Sequence, residues 1–226
     1  MIRDEIALVH SRIEAACLRV GRDPHSVTLI AVSKTKPISL LQDAYEGGTR
    51  EFGENKVQEI LMKMPLLPKD IHWHMIGHLQ TNKVKQLIGS VTLIHSVDSI
   101  KLAQQIESEA AARNLVVPIL LEINVAKEES KYGFFPEEAE ETVRVIHDFS
   151  HLQLCGFMTI APFVEDSEQN RPIFKKLYNL YVDIKSKNID NVNMNILSMG
   201  MTGDYEVAIE EGATMVRIGT GIFGAR

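Results

Sequence analysis

Cysteine is scarce, with only Cys17 and Cys155 in a chain of 226 residues. They lie far apart among apolar neighbours, which excludes a disulfide framework and predicts two buried thiols in a reducing cytoplasm. Basic runs are missing as well. None exceeds two residues (Lys175-Lys176 is the densest), and 24 basic against 30 acidic side chains give a formal charge of −6. That balance disfavours nucleic acid or an anionic membrane as partner. No apolar run approaches the length of a membrane span, and Met1-Ile2-Arg3-Asp4-Glu5 has charges where a signal peptide needs its apolar core. A Walker loop, Gly-x-Gly-x-x-Gly after the first strand, Cys-x-x-Cys and a Ser-His-Asp order are all absent. Hydrophobic residues make up 45% of the chain, too many for disorder and enough for a proper core. The expectation is a soluble cytoplasmic protein, one domain over residues 1–226, and a monomer in the absence of an exposed apolar stripe.

Ile2, Ile6, Val9, Ile13, Cys17 and Val20 recur at helical spacing, and Gly21 with Asp23-Pro24 then stops and turns the chain. After this leading helix, short runs rich in branched residues alternate with longer amphipathic stretches. The runs read as strands at Val27–Ser33, Glu51–Gly53, His72–Ile76, Thr92–Ser96, Val116–Val125, Gln153–Thr159, Met194–Met199 and Thr214–Ile218. Helices are expected near Ser39–Glu46, Lys56–Lys63, Asn82–Ile88, Ile100–Arg113, Pro136–Phe149, Arg171–Lys187 and Tyr205–Glu211, with Asp98-Ser99 and Gly203-Asp204 as cap signals. Eight strands alternating with seven helices close naturally as a (β/α)8 TIM-type barrel of α/β class, with an extra N-terminal helix. A doubly wound open sheet is the competitor, since periodicity does not distinguish closed from open.

In such a barrel chemistry sits at the carboxyl ends of the strands. Ala31-Val32-Ser33-Lys34-Thr35-Lys36-Pro37 ends the first one, with Ile30, Val32 and Lys34 on one face. An inward Lys34 stands at the mouth on an apolar stem, where partial desolvation lowers an amine's pKa and frees it for Schiff-base chemistry. A strand-ending lysine in water is the alternative. At the last strand, Arg217-Ile218-Gly219-Thr220-Gly221 offers glycine backbone and a hydroxyl to an anion, and Arg217 shares the parity of Gly219. Ser198, in Leu197-Ser198-Met199-Gly200-Met201, supplies a second hydroxyl from the neighbouring strand, so the two segments together outline a phosphate corner. Asn55 follows the second strand and His78 the third, both near Lys34 at the mouth. His72, His74, His78 and His95 leave a barrel metallohydrolase open, although the Gly219–Gly224 loop lacks the acidic base it would want. Ser130-Lys131-Tyr132-Gly133 adds a lysine at the same rim.

Seven segments in order resemble the pyridoxal phosphate homeostasis family, also called the proline synthase co-transcribed family, over essentially the whole chain. Besides those quoted around Lys34, Ser198 and Arg217, they are Phe52-Gly53-Glu54-Asn55, His74-Met75-Ile76-Gly77-His78-Leu79-Gln80-Thr81-Asn82-Lys83, Glu129-Ser130-Lys131-Tyr132-Gly133-Phe134 and Met158-Thr159-Ile160-Ala161-Pro162. Lys127 replaces a more usual polar residue.

The resemblance implies a barrel of PLP fold type III, like the N-terminal domain of alanine racemase, carrying pyridoxal 5′-phosphate on Lys34 as a Schiff base. It implies that Ser198, Gly219 and Thr220 hold the phosphate, that Arg217 faces the pyridine nitrogen, and that Asn55 and His78 lie beside the cofactor. No catalytic residue and no metal are assigned. An arginine keeps its proton, so the ring nitrogen stays unprotonated and the ring is a weak electron sink; an aspartate there would do the opposite. Alanine racemases also need a second, all-β domain, for which 226 residues leave no room. The expected function is to hold the cofactor, maintain vitamin B6 and indirectly amino-acid pools, and deliver the cofactor to apo-enzymes, with Lys36 or Lys131 as a second amine for release. The alternatives are a minimal racemase without its second domain, with Tyr132 as the candidate residue opposite Lys34, and a Schiff-base aldolase acting on a phosphorylated sugar.

Overall fold

The structure, a computed structural model, describes residues 1–189 and 192–225. Eight short runs, most of them rich in branched residues, form strands: β1 (Thr28–Val32), β2 (Glu51–Glu54), β3 (His72–Met75), β4 (Leu93–Val97), β5 (Val117–Glu122), β6 (Leu152–Met158), β7 (Val192–Met201) and β8 (Met215–Ile218). Each is parallel to its neighbours in sequence order, and β8 pairs with β1 to close the barrel. The open doubly wound sheet is thereby set aside. Between and around the strands lie α1 (Ile2–Arg19), α2 (Ile38–Glu46), α3 (Val57–Lys63), α4 (Val84–Leu87), α5 (Ile100–Ala111), α6 (Ala139–His147), α7 (Arg171–Ser186), α8 (Tyr205–Glu210) and α9 (Thr220–Phe223).

Alternation along the strands separates two apolar layers. Leu29, Ala31, Phe52, Trp73, Leu121, Phe157 and Leu197 join the large core between barrel and helices. Leu93, Leu120, Cys155 and Met158 form a smaller cluster of their own, with Ile196 and Met215 against it, the β6 irregularity at Gly156 bringing Cys155 to the same cluster as Met158. The inner face of α1, Ile6, Val9, Ile13, Ala16 and Cys17, joins the outer core, and α1 packs on α2, α8 and α9. Val20, expected on that face, is exposed because the helix has ended at Arg19. Both thiols are free and buried. No helix among the described residues is long and apolar enough to cross a membrane.

Three departures from the expected pattern shape the mouth. β5 ends at Glu122, short of the expected Val125, because Asn124 N–H turns to the Phe134 carbonyl (2.9 Å) instead of continuing the ladder. β7 runs on to Met201, two residues past the expected end, and α9 forms where a glycine-rich loop was expected. Ser99 caps α5 through Leu102 N–H, whereas Asp204 at the start of α8 makes no cap bond.

The chain passes very close to β7 at Gly156, where the β6–β7 register shifts. Its φ is +149°, and a Cβ there would lie 1.8 Å from the Ile196 carbonyl oxygen. Gly156→Ala is therefore expected to lose at least about 2 kcal/mol of stability in urea unfolding. Gly203→Ala, with nothing within 4 Å of the added carbon, serves as the control. Equal midpoints for the two variants would count against this account of the β6–β7 crossing.

Candidate functional site

β1 and β8 lie side by side with Ile30 opposite Arg217, so their continuations, Lys34 and Gly219–Thr220, emerge together at the carboxyl end of the barrel. Lys34 is half-buried there. A Cβ on Gly219 would lie 3.3 Å from the Val32 carbonyl oxygen, and one on Gly221 would lie 3.0 Å from Ile218 Cγ2 and 3.2 Å from Thr202 Cγ2. The backbone thus runs so close to its neighbours that a side chain at either position would have to push them aside by a few tenths of an ångström. Gly221 N–H donates to Thr202 Oγ1 at 3.3 Å. The loop carrying Thr202 is fixed by Asp204, whose carboxylate accepts from Met201 N–H (2.7 Å) and from Asn170 Nδ2 (2.8 Å). Asp204, read from sequence as a helix cap, ties down this loop instead.

Ser198 is not at that corner by its hydroxyl. It is fully buried, and its Oγ lies between Arg217 Nη1 (2.6 Å) and His95 Nδ1 (2.9 Å). The hydroxyl that reaches the glycine turn from β7 is that of Thr202. The difference follows from the length of β7, which carries Ser198 inside the strand rather than at its end.

Arg217 itself is buried, donating also to the Thr159 carbonyl at 2.8 Å, and no carboxylate oxygen lies within 4.0 Å of it among the described residues. Burial lowers its pKa to about 10, which leaves it a cation at neutral pH. A guanidinium only donates, so Ser198 Oγ accepts from it and passes its own proton to its one other partner, His95 Nδ1. His95 Nε2 then carries a proton and donates to His74 Nδ1 (2.9 Å), and His74 Nε2 donates to Glu51 Oε2 (2.7 Å). Burial above all, with the nearby Arg217 cation adding to it, pushes the His95 pKa well below the usual imidazole value, so this ring stays neutral. Burial raises the Glu51 carboxyl, but hydrogen bonds from His74 and His72 outweigh it and hold the group below its ordinary value. A directed line of hydrogen bonds therefore runs from Arg217 through the barrel to the amino-terminal end of its strands, where Glu51 begins β2.

This line also answers the metal alternative. His74 and His95 spend their nitrogens on each other, Ser198 and Glu51, while His72 bonds Glu51 (2.7 Å) at the exposed end. His78 is away at the mouth, and the described residues contain no group of three or more metal-ligating side chains.

On the other side of the mouth, Asn55 and His78 leave adjacent strands, since Glu54 pairs with Met75. His78 Nδ1 bonds Asp98 Oδ2 at 2.7 Å, and its ring stacks on Tyr132 with centroids 3.9 Å apart and planes 11° apart. Asp98, read as a cap residue, serves His78 instead. Tyr132, the residue expected opposite Lys34 in a racemase, is 56% exposed on that stack. Cys155 is buried, which raises its thiol. Lys36 Nζ donates to the carbonyls of Phe223, Gly224 and Ala225 at 3.1, 3.0 and 3.0 Å, so it ties α9 to β1 rather than standing free at the rim. Lys131 is exposed at the rim.

Glu122 escaped sequence reading. It ends β5 on the inward parity of Leu120, and a charged residue in that position was the available signal. Burial above all, then the neighbouring Asp98 charge, raises its pKa to about 7 against the opposing charges of Arg217 and Lys131.

A family model described as "Alanine racemase, N-terminal domain" matches residues 12–226. A "Pyridoxal phosphate homeostasis protein" of Aquifex aeolicus is 44% identical over 224 residues, 99% of this chain and 97% of that one. PipY of Synechococcus elongatus, solved with PLP bound, is 32% identical with a TM-score of 0.84, covering 99% of this chain and all of that one. An alanine racemase of Clostridium difficile shares the fold at 14% identity and a TM-score of 0.74; here 99% of this chain covers 57% of that chain.

Glu122 gives the site a measurable pH dependence. Between its ordinary value of 4.5 and about 7, the folded protein keeps a proton that the unfolded chain has released. Folding stability attributable to this group therefore falls as pH rises through that window and is flat on either side. Glu122→Gln removes the effect, so its Tm relative to wild type is expected to be higher at pH 8 than at pH 5. A Tm difference that is the same at both values would contradict a buried, proton-retaining Glu122.

Proposed function

The chain belongs to the pyridoxal phosphate homeostasis protein family, built on the alanine racemase N-terminal fold, and on that premise we propose that it holds pyridoxal 5′-phosphate at Lys34 and so maintains intracellular vitamin B6 pools. The residues present fit that group. An amine (Lys34), a permanent donor cation (Arg217) and a close-backbone corner with the hydroxyls of Thr202 and Thr220 stand around one side of the mouth, on β1, β8 and β7. A phosphate dianion is suited by several N–H and hydroxyl donors at a glycine turn. We assign the hydroxyl role to Thr202 and Thr220 and give Ser198 the task of orienting Arg217. Asn55 and His78 would flank the cofactor from β2 and β3, His78 braced by Asp98 and Tyr132.

When bound, the cofactor supplies an aldehyde that condenses with an amine and a ring that draws electrons to a degree set by the protonation of its nitrogen. Arg217 carries the argument for holding over turnover. It is buried, keeps its proton at neutral pH and can offer the ring nitrogen only a hydrogen bond. The neutral His95 behind Ser198 cannot exchange that cation for an acid. A site centred on such a cation supports storage and release in place of carbanion chemistry, and we read the protein as a non-catalytic holder. The two buried free thiols suit the cytoplasm. Delivery to apo-enzymes would then use an external amine or Lys131 at the rim, since Lys36 is committed to the α9 carbonyls.

Purified protein loaded with pyridoxal phosphate is expected to show a visible absorption band that borohydride bleaches and that Lys34→Ala lacks. A wild-type protein that stays colourless with added cofactor would overturn the reading, and the glycine corner would become a candidate sugar-phosphate site. For delivery, loaded protein should reactivate an acceptor apo-enzyme more slowly than free cofactor, and Lys131→Ala more slowly still. Unchanged unloading by Lys131→Ala would remove that lysine from the account.

A further inference from the structure

Directly behind Lys34, on the outer face of the barrel, lies a buried ionic triad that the proposed function does not use. Lys63, at the end of α3, is 1% exposed and spends all three ammonium protons: on the Ser33 carbonyl (2.9 Å), Glu54 Oε1 (2.7 Å) and Glu59 Oε2 (2.8 Å). Ser33 Oγ donates to the same Glu54 oxygen at 2.6 Å, and Thr35 N–H donates to Glu59 Oε2 at 2.7 Å. Glu54 is fully buried, and its other oxygen has no partner among the described residues. Burial raises the Glu54 carboxyl, while Lys63 and Thr35 N–H hold Glu59 below its ordinary value in spite of burial.

The bonds fall in a telling place. The Ser33 carbonyl belongs to the peptide group before the Lys34 Cα, and the Thr35 N–H to the peptide group after it. Both planes that set the Lys34 backbone dihedrals are thus anchored, one on Lys63 and the other on Glu59, neighbours one turn apart on α3. The next residue, Thr35, has φ +63°, a left-handed conformation that a β-branched residue rarely adopts. A turn of that kind persists where the surroundings over-determine it, and here the surroundings are a salt-bridged clamp whose Lys63 and Glu54 are buried and whose Glu59 stands at its partly exposed edge. A buried ammonium and two carboxylates could be replaced by apolar packing without loss of stability, so burial energy alone does not call for them at this position.

We infer that Lys63, with Glu54 and Glu59, is a positioning device for Lys34: it locks the strained Ser33–Thr35 turn so that the amine stays half-buried at the mouth. The inference rests on Lys34 being the attachment amine, as proposed above. None of the triad touches the cofactor; it acts through the backbone.

Two variants remove one anchor each. Glu59→Met deletes the Thr35 anchor and leaves Lys63 balanced by Glu54. Lys63→Met with Glu54→Gln deletes the Ser33 anchor without stranding the more deeply buried carboxylate. Each is made alone and with Thr35→Gly, since glycine adopts the left-handed turn without strain and should keep Lys34 in place unaided. Two readouts are compared: uptake of pyridoxal phosphate by visible absorbance, and, on protein without cofactor, acetic anhydride labelling of each lysine by peptide mass spectrometry. Losing an anchor is expected to slow uptake about ten-fold while speeding acetylation of Lys34, with the other lysines unchanged and cooperative melting retained. Adding Thr35→Gly should restore both. Wild-type behaviour in the variants, or a defect that Thr35→Gly does not repair, would overturn the clamp; if one variant fails to fold, the other decides. A wild-type protein that takes up no cofactor would defeat the functional reading, while the Lys34 acetylation rates would still judge the clamp.

Discussion

A guanidinium cation enclosed in the barrel is the constraint on which the interior depends. Taking such a group out of water costs several kcal/mol unless its donors are used, and Arg217 is buried with no carboxylate in direct contact among the described residues. Its neighbours are therefore chosen as acceptors, Ser198 Oγ and the Thr159 carbonyl. Because arginine gives protons and never takes them, the direction of the first bond dictates that of the next three, through His95 and His74 to Glu51. Two buried imidazoles become the path by which the interior polar groups are satisfied from the amino-terminal end of the strands.

The same cation governs the mouth. Its charge works against the burial that raises Glu122, and it helps to keep His95 neutral. The site is consequently positive at its centre and carries a carboxyl of raised pKa at its edge, an arrangement that favours an anionic ligand. Barrel closure brings the pieces together. Pairing of β1 with β8 sets Lys34 beside the glycine corner although 185 positions separate Lys34 from Gly219 in sequence.

Charge inside this fold is spent on geometry. The Lys63 triad faces the helical layer, the Arg217 line faces the barrel axis, and Lys34 leaves β1 between them. Lys36 extends the pattern by gathering the carbonyls that follow α9, which fastens the last element of the fold to the first strand. Such polar contacts gain little net stability beside apolar packing. Their effect is to permit one arrangement of β1 and its turn.

Much of this was legible in the chain itself. The alternation of branched runs and amphipathic stretches is a local property, and local periodicity decides whether a segment becomes strand or helix; all eight strands and the larger helices stand where it put them. That Lys34 and the Gly219–Thr220 turn emerge beside each other was readable too, because strand ends in a barrel collect at one face. Partners across the barrel were not. That the Ser198 hydroxyl would lie between Arg217 and His95 depended on which side chains of β8 and β4 arrived beside β7. Whether Asp98 capped a helix or braced His78, and whether Lys63 was a solvated helix end or a buried clamp, depended on which groups from distant segments arrived beside them. Composition and periodicity settled the α/β class and the end of the sheet at which the strand-ending residues collect. Only the closed barrel, by burying charges and forcing each to find its partner, decided which hydroxyl, which carboxylate and which lysine serve it.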